Sequence, residues 1–558
     1  MRIRSEQLNP IVGDIDGNTD KILNSLKKAE QDNVELLVLP EMCLTGYPPM
    51  DLLERQSLLQ KVEKASQTII NATGETGIIF GLPTRNPSNT GRLLFNSAIL
   101  AWAGKILATV NKTLLPTYDV FDESRYFEPN RYFGPVGFKG CKLGITICED
   151  IWTNRNEFNY HTYAQEPVSM LAEAGADILI NISASPFSRS KPEFRKNMLR
   201  EHAMNLHIPV VFANQVGANT EMIFDGDSMI IAPDGTVLER TELFKEDFVD
   251  AVWNARPKKI SPTQNRAPEP KETEREIFEA LVLGLRDYFA KSGLPKQVVL
   301  GLSGGLDSAL TAVIAAEALG HENVTGITMP SDFSSGGSVS DSEKLAENLG
   351  INIQKLPIGD VYEMFLQTLG PVFKDTPFNV AEENLQSRTR GVLLMAIANK
   401  FGWLLLNTGN KSELAVGYCT LYGDMAGGIS VIADLYKTEA YGLSSWLNEV
   451  YYQKEIIPGE IISKEPSAEL RPDQKDTDSL PPYLILDGIL KAYIEGQKSL
   501  KEIIEMGYDP DVSKTILALV DRNEYKRRQA PPGLRVSTKA FGPGRQLPLA
   551  HGWKHEIQ

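Results

Sequence analysis

The chain has 558 residues, a formal net charge of −15, and 42% hydrophobic and 23% charged residues. This length predicts two domains, each large enough for its own core, and the composition is typical of a soluble globular protein. The acidic balance excludes nonspecific binding to nucleic acid, which needs a broad basic face. No run of 18 apolar residues offers a membrane span.

The chain start and the cysteines indicate the compartment. Charges between Met1 and Glu6 stand where a signal peptide needs an apolar stretch, so we expect a cytoplasmic protein. The four cysteines are too few for a disulfide scaffold, and neither they nor the six histidines have zinc-ligand spacing. We therefore expect no structural metal.

Short apolar runs alternate with helix-length segments in the first half of the chain, as in layered β/α proteins. These runs are residues 36–39, 77–80, 143–147, 178–180 and 210–212. They predict a two-sheet sandwich flanked by helices. Arg4, Ser5 and Glu6 interrupt the apolar first strand, which leaves the burial of that strand open.

A proline-rich segment divides the chain. Residues 256–272 lack hydrophobic periodicity and contain four prolines, which disfavour helix and central strand. This predicts a first domain of residues 1–255, a linker of residues 256–272 and a second domain of residues 273–558. In the second domain, buried runs predict a doubly wound parallel sheet. These runs are residues 298–300, 324–329 and 403–406.

A glycine-rich loop joins the first of these strands to a helical run. The loop consists of Gly301, Leu302, Ser303, Gly304, Gly305, Leu306, Asp307 and Ser308. Glycines let backbone N–H groups approach a phosphate, the serines add hydroxyl donors, and the following helix directs its positive end at the anion. Asp307 suits a magnesium ion shared with the phosphates. The loop resembles the pyrophosphatase-type loop of ATP enzymes that release pyrophosphate, and it matches neither a Walker A loop nor a dinucleotide fingerprint.

Five further motifs follow the loop in order. They are residues 383–388 (ENLQSR), 407–413 (NTGNKSE), 416–428 (VGYCTLYGDMAGG), 466–472 (PSAELRP) and 525–529 (YKRRQ). Together with the loop they resemble the NAD synthetase family over most of residues 273–548. This resemblance implies a sheet of the adenine-nucleotide alpha-hydrolase type and ATP-dependent amidation of deamido-NAD to NAD, with release of AMP and pyrophosphate.

The same resemblance implies a role for individual residues. The loop from Gly301 to Ser308 and Thr408 would hold ATP, while Asn384, Glu413 and Lys526 would contact deamido-NAD. Asp307 and Glu413 would share Mg²⁺, and the family implies a homo-oligomer.

The first domain carries a set of residues suited to amide hydrolysis. Cys148 follows the apolar run 143–147, which places a thiol at the end of a strand. Such a thiol needs a base and a positive neighbour to react as a nucleophile. Glu41 ends a strand and Lys112 precedes Leu114, so a Glu-Lys-Cys set at three strand ends is available without histidine. Cys43, Cys141 and Cys419 lack such neighbours and are predicted to be structural.

Four motifs extend this set. They are residues 39–41 (LPE), 112–118 (KTLLPTY), 121–127 (FDESRYF) and 147–152 (ICEDIW). Over residues 7–250 they resemble the nitrilase-like amidases, and specifically the glutaminase domain fused to glutamine-dependent NAD synthetases, which implies an α-β-β-α sandwich. The resemblance implies that Glu41 is the general base, Lys112 stabilises the oxyanion and Cys148 is the nucleophile. It also implies that Glu123 is a supporting carboxylate and that L-glutamine is bound by Tyr118, Ser185 and Lys191.

We expect ammonia from the first domain to reach the second through an enclosed channel. Alternative readings are an ammonia-using NAD synthetase with a weak or vestigial amidase domain, an amidase with a nucleotide sensor, and an amidotransferase acting on another nucleotide. Intact Glu41, Lys112 and Cys148 favour the glutamine-dependent enzyme. One departure from the family pattern, residues 218–221 (ANTE), concerns the pocket rim or the coupling of the domains.

Overall fold

The structure is a computed structural model that describes residues 1–132, 134–152, 163–266, 272–332, 334, 336–467, 469–471 and 474–556. Part of the predicted linker (267–271) and residues 468 and 472 of one motif lie outside the described residues. The chain forms two compact units, Met1–Lys271 and Glu272–Gln558. Among the described helices, none combines the length and apolar character needed to span a bilayer.

The first unit contains two large sheets and a hairpin. The seven-stranded sheet has the order β15-β14-β1-β2-β3-β4-β5, the six-stranded sheet has the order β13-β12-β9-β8-β7-β6, and β10 pairs with β11. The strands are β1 (Arg2–Gln7), β2 (Leu36–Val38), β3 (Gly77–Arg85), β4 (Leu94–Trp102), β5 (Lys105–Asn111), β6 (Val136–Phe138), β7 (Cys141–Ile147), β8 (Ile178–Ser183), β9 (Val210–Asn214), β10 (Val216–Asn219), β11 (Met222–Asp225), β12 (Met229–Ile231), β13 (Val237–Arg240), β14 (Asp247–Ala255) and β15 (Lys258–Pro262).

Helices cover the outer faces of both sheets. They are α1 (Ile15–Gln31), α2 (Gln56–Ala72), α3 (Pro167–Glu173) and α4 (Lys191–Leu206). Apolar side chains of α1 and α2 pack on the seven-stranded sheet, and those of α3 and α4 pack on the six-stranded sheet. A third core cluster joins the inner faces of the two sheets. The predicted α-β-β-α sandwich is therefore confirmed, and each of the five apolar runs coincides with a strand, with Leu39 alone lying beyond the end of its strand.

Strand β1 is buried although it carries Arg4. The Arg4 side chain is 2% exposed, and its Nε donates to Asp250 Oδ1 at 2.8 Å while Nη2 donates to Asp32 Oδ2 at 2.8 Å. A buried charge of this kind is tolerated because it is paired and hydrogen-bonded. The charged residues of β1 are therefore compatible with a buried strand, which answers the question that the sequence left open.

Residues 258–262, predicted to lie in the linker, form strand β15 of the first unit instead. Strand β15 pairs antiparallel with β14 at the edge of the seven-stranded sheet. Pro257 precedes the strand and Pro262 ends it, so neither proline interrupts the ladder. Edge positions and strand ends are the places where a sheet accepts proline.

The second unit is built on a parallel sheet with the order β18-β17-β16-β19-β20. Its strands are β16 (Val298–Gly301), β17 (Val324–Thr328), β18 (Asn352–Lys355), β19 (Leu404–Asn407) and β20 (Ile429–Ser430). Its helices are α5 (Thr273–Ser292), α6 (Leu306–Leu319), α7 (Gly336–Leu349), α8 (Gly359–Phe373), α9 (Val380–Phe401), α10 (Lys411–Val416), α11 (Lys437–Trp446), α12 (Gly459–Ser463), α13 (Tyr483–Leu490), α14 (Leu500–Glu505), α15 (Pro510–Arg522) and α16 (Glu524–Arg527).

The strand order of this sheet places the glycine-rich loop. Strand β16 pairs with β17 on one side and with β19 on the other, so the order reverses at β16. Ligands of doubly wound folds bind at the carboxyl ends of strands where the order reverses. The loop from Gly301 to Ser308 leaves β16 at that point and continues into α6, which confirms the predicted doubly wound sheet.

Candidate functional sites

The predicted nucleophile lies at a sharp turn. Cys148 follows β7 with a φ of 44°, a left-handed conformation that is uncommon for a residue with a side chain. Asp150 ties this turn in place, since its Oδ2 accepts from Ile147 N at 3.0 Å and its Oδ1 accepts from Thr113 N at 2.9 Å and Leu114 N at 2.8 Å. The segment after Lys112 is thereby fixed to the turn that carries the thiol.

Lys112 lies between two carboxylates. Its Nζ donates to Glu41 Oε1 at 2.8 Å and to Glu123 Oε1 at 2.7 Å, and these three side chains are 0–5% exposed. Lys112 directly follows β5, as the strand pattern predicts, whereas Glu41 lies in a turn three residues after the end of β2. The structure thus brings Glu41, Lys112 and Glu123 into direct contact, and the charges of all three act on the Cys148 thiol.

Two neighbours of this centre were missed in the sequence. Tyr47 OH donates to Glu123 Oε1 at 2.9 Å, and Asn96 Nδ2 donates to Glu41 Oε1 at 2.6 Å. Neither residue lies in a motif that suggested function. Asn96 lies on β4, a mostly apolar strand. A polar residue at an inward-facing position of such a strand was the one sequence signal that could have marked it as functional.

The electrostatics favour a neutral thiol and a charged lysine at rest. Burial and then Glu41 raise the pKa of the Cys148 thiol well above its ordinary value, against Lys112. Burial lowers the pKa of the Lys112 ammonium, but the charges of Glu123 and Glu41 raise it by more than burial lowers it. The pKa of Lys112 therefore lies well above its usual range. Burial raises the pKa of Glu123 to about 7, against Lys112. The thiol therefore needs a base at the moment of attack.

The three predicted glutamine-binding residues differ from one another in their contacts. Tyr118 OH donates to both oxygens of the Glu149 carboxylate at 3.0 Å, and Tyr163 OH donates to Glu149 Oε1 at 3.1 Å. Burial raises the pKa of Glu149, which follows Cys148 directly. Ser185 Oγ is buried without a hydrogen-bond partner, and Lys191 Nζ lies 5.3 Å from the centre of the Trp152 ring. In the segment that departs from the family pattern, Asn219 Nδ2 donates to Tyr47 O at 2.7 Å.

The second unit contains a cavity of about 310 Å³ beside the glycine-rich loop. Of the predicted ATP-binding residues, those that line it are Gly301, Leu302, Ser303, Gly305, Leu306, Asp307, Ser308 and Thr408. Gly304 is not among the lining residues. It has a φ of 75°, and a Cβ there would lie 2.5 Å from Ser338 Cα, so glycine is required for the loop to pass against α7.

Asp307 and Glu413 face the same cavity and share Lys437, a residue missed in the sequence. The Lys437 ammonium forms an ion pair with Asp307 and lies 3.7 Å from Glu413 Oε1. Burial and then Asp307 raise the pKa of Glu413 to about 8, against Lys437. Burial opposes the charge of Lys437, but Asp307 and Glu413 raise its pKa above the usual range.

The two carboxylates fit a magnesium ion held jointly with a phosphate ligand. Asp307 Oδ1 is buried and has no hydrogen-bond partner, so an oxygen ligand is left over beside the loop. Within the described parts of the chain, no three Asp, Glu, His or Cys side chains group as a metal site made by protein alone. Mg²⁺ commonly takes one or two carboxylates and completes its shell with water and substrate phosphates.

Asn384 and Lys526, the remaining predicted contacts of deamido-NAD, are not among the residues that line this cavity. Asn384 Oδ1 accepts from Thr420 Oγ1 at 2.8 Å, and Lys526 Nζ donates to Gly417 O at 2.7 Å and Cys419 O at 2.8 Å. Both therefore bind the segment between α10 and β20, and Cys419 of that segment lines the cavity.

The first unit thus combines an α-β-β-α sandwich with a Glu-Lys-Cys centre, and the second combines a doubly wound sheet with a phosphate-type loop. These features define a carbon–nitrogen hydrolase joined to an ATP-type ligase. Residues 2–252 match the carbon-nitrogen hydrolase family model, and residues 277–530 match the NAD synthase family model.

Relatives extend over the whole chain. The chain is 45% identical to the glutamine-dependent NAD(+) synthetase of Synechocystis sp. over 98% of each chain, and 41% identical to that of Thermotoga maritima over 100% of each. A solved structure of the glutamine-dependent NAD+ synthetase from Acinetobacter baumannii in complex with adenosine diphosphate is 38% identical. It covers 100% of this chain and 99% of its own, with a TM-score of 0.78. The chain belongs to the family of glutamine-dependent NAD(+) synthetases.

Proposed function

We propose that the protein converts deamido-NAD to NAD with ATP and with ammonia released from L-glutamine, forming AMP, pyrophosphate and glutamate. The observation that carries the proposal is the presence of both sites in one chain. One is a buried Glu41-Lys112-Cys148 centre, and the other is a cavity bordered by a phosphate-type loop with Asp307 and Glu413.

In the first unit, Glu41 takes the thiol proton as Cys148 Sγ attacks the carboxamide carbon of glutamine. The Lys112 ammonium stabilises the oxyanion of the tetrahedral intermediate, and protonated Glu41 returns the proton to the leaving ammonia. This leaves a glutamyl thioester on Cys148. A water molecule then gives a proton to Glu41 and attacks the thioester carbon, glutamate is released, and Glu41 returns the proton to the departing Cys148 sulfur.

The glutamine-binding roles of Tyr118, Ser185 and Lys191 belong to the same proposal. The buried Ser185 hydroxyl without a partner supports a role in holding a polar substrate. Lys191 supplies a cation for the substrate α-carboxylate. Glu123 acts as the supporting carboxylate that shares Lys112 with the base.

In the second unit, the loop and Thr408 bind ATP. The adenosine diphosphate in the Acinetobacter baumannii relative supports a nucleotide site in this chain. The carboxylate of deamido-NAD attacks the α-phosphorus of ATP, pyrophosphate leaves, and ammonia then displaces AMP to form the amide. Lys437 borders the same cavity as the loop, where its ammonium can offset the charge that develops on the departing pyrophosphate. Asp307 and Glu413 would hold Mg²⁺, which would supply further charge neutralisation there.

The recognition of deamido-NAD by Asn384, Glu413 and Lys526 stays a prediction. The cavity-lining position of Glu413 supports it directly. Asn384 and Lys526 support it through the segment that they bind, since Cys419 of that segment lines the cavity.

We also propose a homo-oligomer that acts in the cytoplasm. Helices α8 and α9 and the loop between them expose several large apolar side chains, and such surfaces commonly mark subunit contacts. These side chains are Met364, Val372, Phe378, Val380, Val392 and Phe401. The substrates ATP and glutamine support the cytoplasm as the site of action.

The decisive experiment measures NAD formation from deamido-NAD, ATP and Mg²⁺ with glutamine or ammonium as donor, for the wild type and for Cys148→Ala. We expect the variant to lose activity with glutamine and to keep it with ammonium. Equal activity of both proteins with glutamine would show that Cys148 does not release the ammonia. This result would favour the alternative of an ammonia-using synthetase with a vestigial amidase domain. Absence of NAD in all four reactions would refute the acceptor assignment.

Enclosed transfer of ammonia is tested separately by adding an ammonia-consuming enzyme during glutamine-driven turnover. We expect NAD formation to continue at the same rate. A fall in proportion to the added enzyme would show that ammonia mixes with the solvent.

A further inference from the structure

One amide group touches both carboxylates of the hydrolase centre. Asn96 lies on β4 and is 1% exposed. Its Nδ2 donates to Glu41 Oε1 at 2.6 Å and to Glu123 Oε2 at 3.4 Å. The two hydrogens of one NH2 group are therefore directed to the two carboxylates that flank Lys112.

The other end of this amide has no partner. Asn96 Oδ1 is buried and accepts no hydrogen bond. A buried acceptor of this kind opposes folding, so it calls for an explanation other than stability. Rotating the amide by 180° would place the oxygen against Glu41 and Glu123, which are themselves acceptors. The two carboxylates thus determine the orientation of Asn96, and the unpaired oxygen is its consequence.

The main chain of Asn96 is fixed to the same centre. Asn96 O accepts from Lys112 N at 2.8 Å, so the residue that contacts the base also holds the backbone of the lysine. Glu41 Oε1 accepts from Asn96 and Lys112, and Glu41 Oε2 accepts from Ala184 N at 2.9 Å. Without Asn96, the Lys112 ammonium would be the only side-chain donor to Glu41 among the described contacts.

We propose that Asn96 is a positioning residue of the glutamine-hydrolysing site, whose amide orients the Glu41 carboxylate to take the Cys148 proton and lies between Glu41 and Glu123. The inference rests on the proposed function of the first unit and extends it. Two buried carboxylates that share one lysine repel each other, and a neutral donor between them offsets this repulsion without taking the proton. Asn96 itself forms no bond to substrate in this scheme.

The test compares Asn96→Leu, which has a similar size and no donor, with the wild type. Glutamate formation from glutamine is measured between pH 5 and pH 9. The titratable groups around Glu41 are Lys112, Glu123, Tyr47 and Cys148, and Glu149 acts on Cys148. The substitution changes none of these titratable residues. Ammonium-driven NAD formation by the same preparation reports the integrity of the second unit.

We expect kcat/KM for glutamine to fall about 10- to 100-fold at neutral pH, the scale of a misplaced reacting group. The acid limb of the pH profile should also move up by about one to two pH units, because a hydrogen bond to a charged group favours the ionised form by about that much. Ammonium-driven NAD formation should stay within about twofold of the wild type.

Ser97→Ala is the matched control. Ser97 is the next residue on β4, is 0% exposed and forms hydrogen bonds with Asn111 at 2.7 Å and Thr84 at 2.6 Å, outside the hydrolase centre. It removes a buried polar group from the same strand, and we expect the wild-type pH profile. If Asn96→Leu does not fold, Asn96→Ser replaces it, with a smaller loss and a shift in the same direction.

An unchanged pH profile overturns the proposal, and so does a loss by the same factor at every pH, which is the mark of a merely structural side chain. A shift in Ser97→Ala equal to that in the Asn96 variant also overturns it. Failure of the wild type to hydrolyse glutamine would instead refute the proposed function of the first unit.

Discussion

Lys437→Met tests the ligase site most directly. Lys437 is the cation between Asp307 and Glu413, and its side chain is 6% exposed. Methionine has a similar length and no charge. The substitution leaves two carboxylates facing each other beside the loop that is proposed to bind the phosphates of ATP.

The structure sets the size of the effect. Removing one partner of a buried, hydrogen-bonded charge pair costs about 2–5 kcal/mol. Since 1.4 kcal/mol corresponds to a factor of ten, the lower figure corresponds to roughly 30-fold. We therefore expect kcat/KM for ATP in NAD formation to fall at least about 30-fold, with glutamine and with ammonium alike.

The assay follows NAD formation with both donors and, separately, glutamate formation in the absence of ATP, which should not change. Lys464→Met is the matched control, because Lys464 also lines the cavity but is 34% exposed and bonds to Glu469 Oε1 at 2.8 Å. A pair this exposed contributes less than about 1 kcal/mol, so the control should stay within about fivefold. The reasoning is refuted if Lys437→Met stays within threefold of the wild type or if both variants lose the same activity.

Three further predictions concern the first unit. Asp250→Asn removes the buried carboxylate that pairs with Arg4 and should lower the free energy of unfolding by about 3–5 kcal/mol in chemical denaturation. Gly81→Ala places a Cβ 2.7 Å from Glu41 Cα, so glutamine hydrolysis should fall about 100-fold in a glutamate assay. Burial raises the pKa of Glu123 from about 4.5 to about 7. The folded protein therefore binds a proton more tightly than the unfolded chain, and the contribution of Glu123 to stability falls as the pH rises from about 4.5 to 7. Glu123→Gln should remove this pH dependence from the free energy of unfolding.

The first two of these predictions have a matched control variant. Asp16→Asn breaks the pair with Lys61, whose side chains are 76% and 49% exposed, and should change stability by less than about 1 kcal/mol. Gly137→Ala meets nothing within 4 Å and should leave glutamine hydrolysis unchanged. Equal effects of a variant and its control would contradict the structural reasoning, as would an unchanged pH dependence of stability in Glu123→Gln.

Eight of the strands and the layered character of both domains could be predicted from local patterns. Short apolar runs marked the strands, and the loop from Gly301 to Ser308 was recognisable because glycine spacing before a helix depends on neighbouring residues alone. The strand-end position of Cys148 was available for the same reason. Arg4 left the burial of β1 open because its pairing with distant Asp250 cannot be read from neighbouring residues. The prolines around β15 placed that strand in the linker because its edge position in the sheet is likewise not a local feature.

Local spacing is therefore enough to identify residues near strand ends and in the phosphate-type loop. Which of these residues come into contact depends on how the strands pair and pack. Glu41 and Lys112 are 71 residues apart, and Lys437 and Asp307 are 130 residues apart. Contacts over such separations depend on the order in which strands pair, and each side chain then gains its charge state from burial and from neighbours that the sequence places far away. The contacts of Asn96 with Glu41 and of Lys437 with Asp307 became visible only at that level.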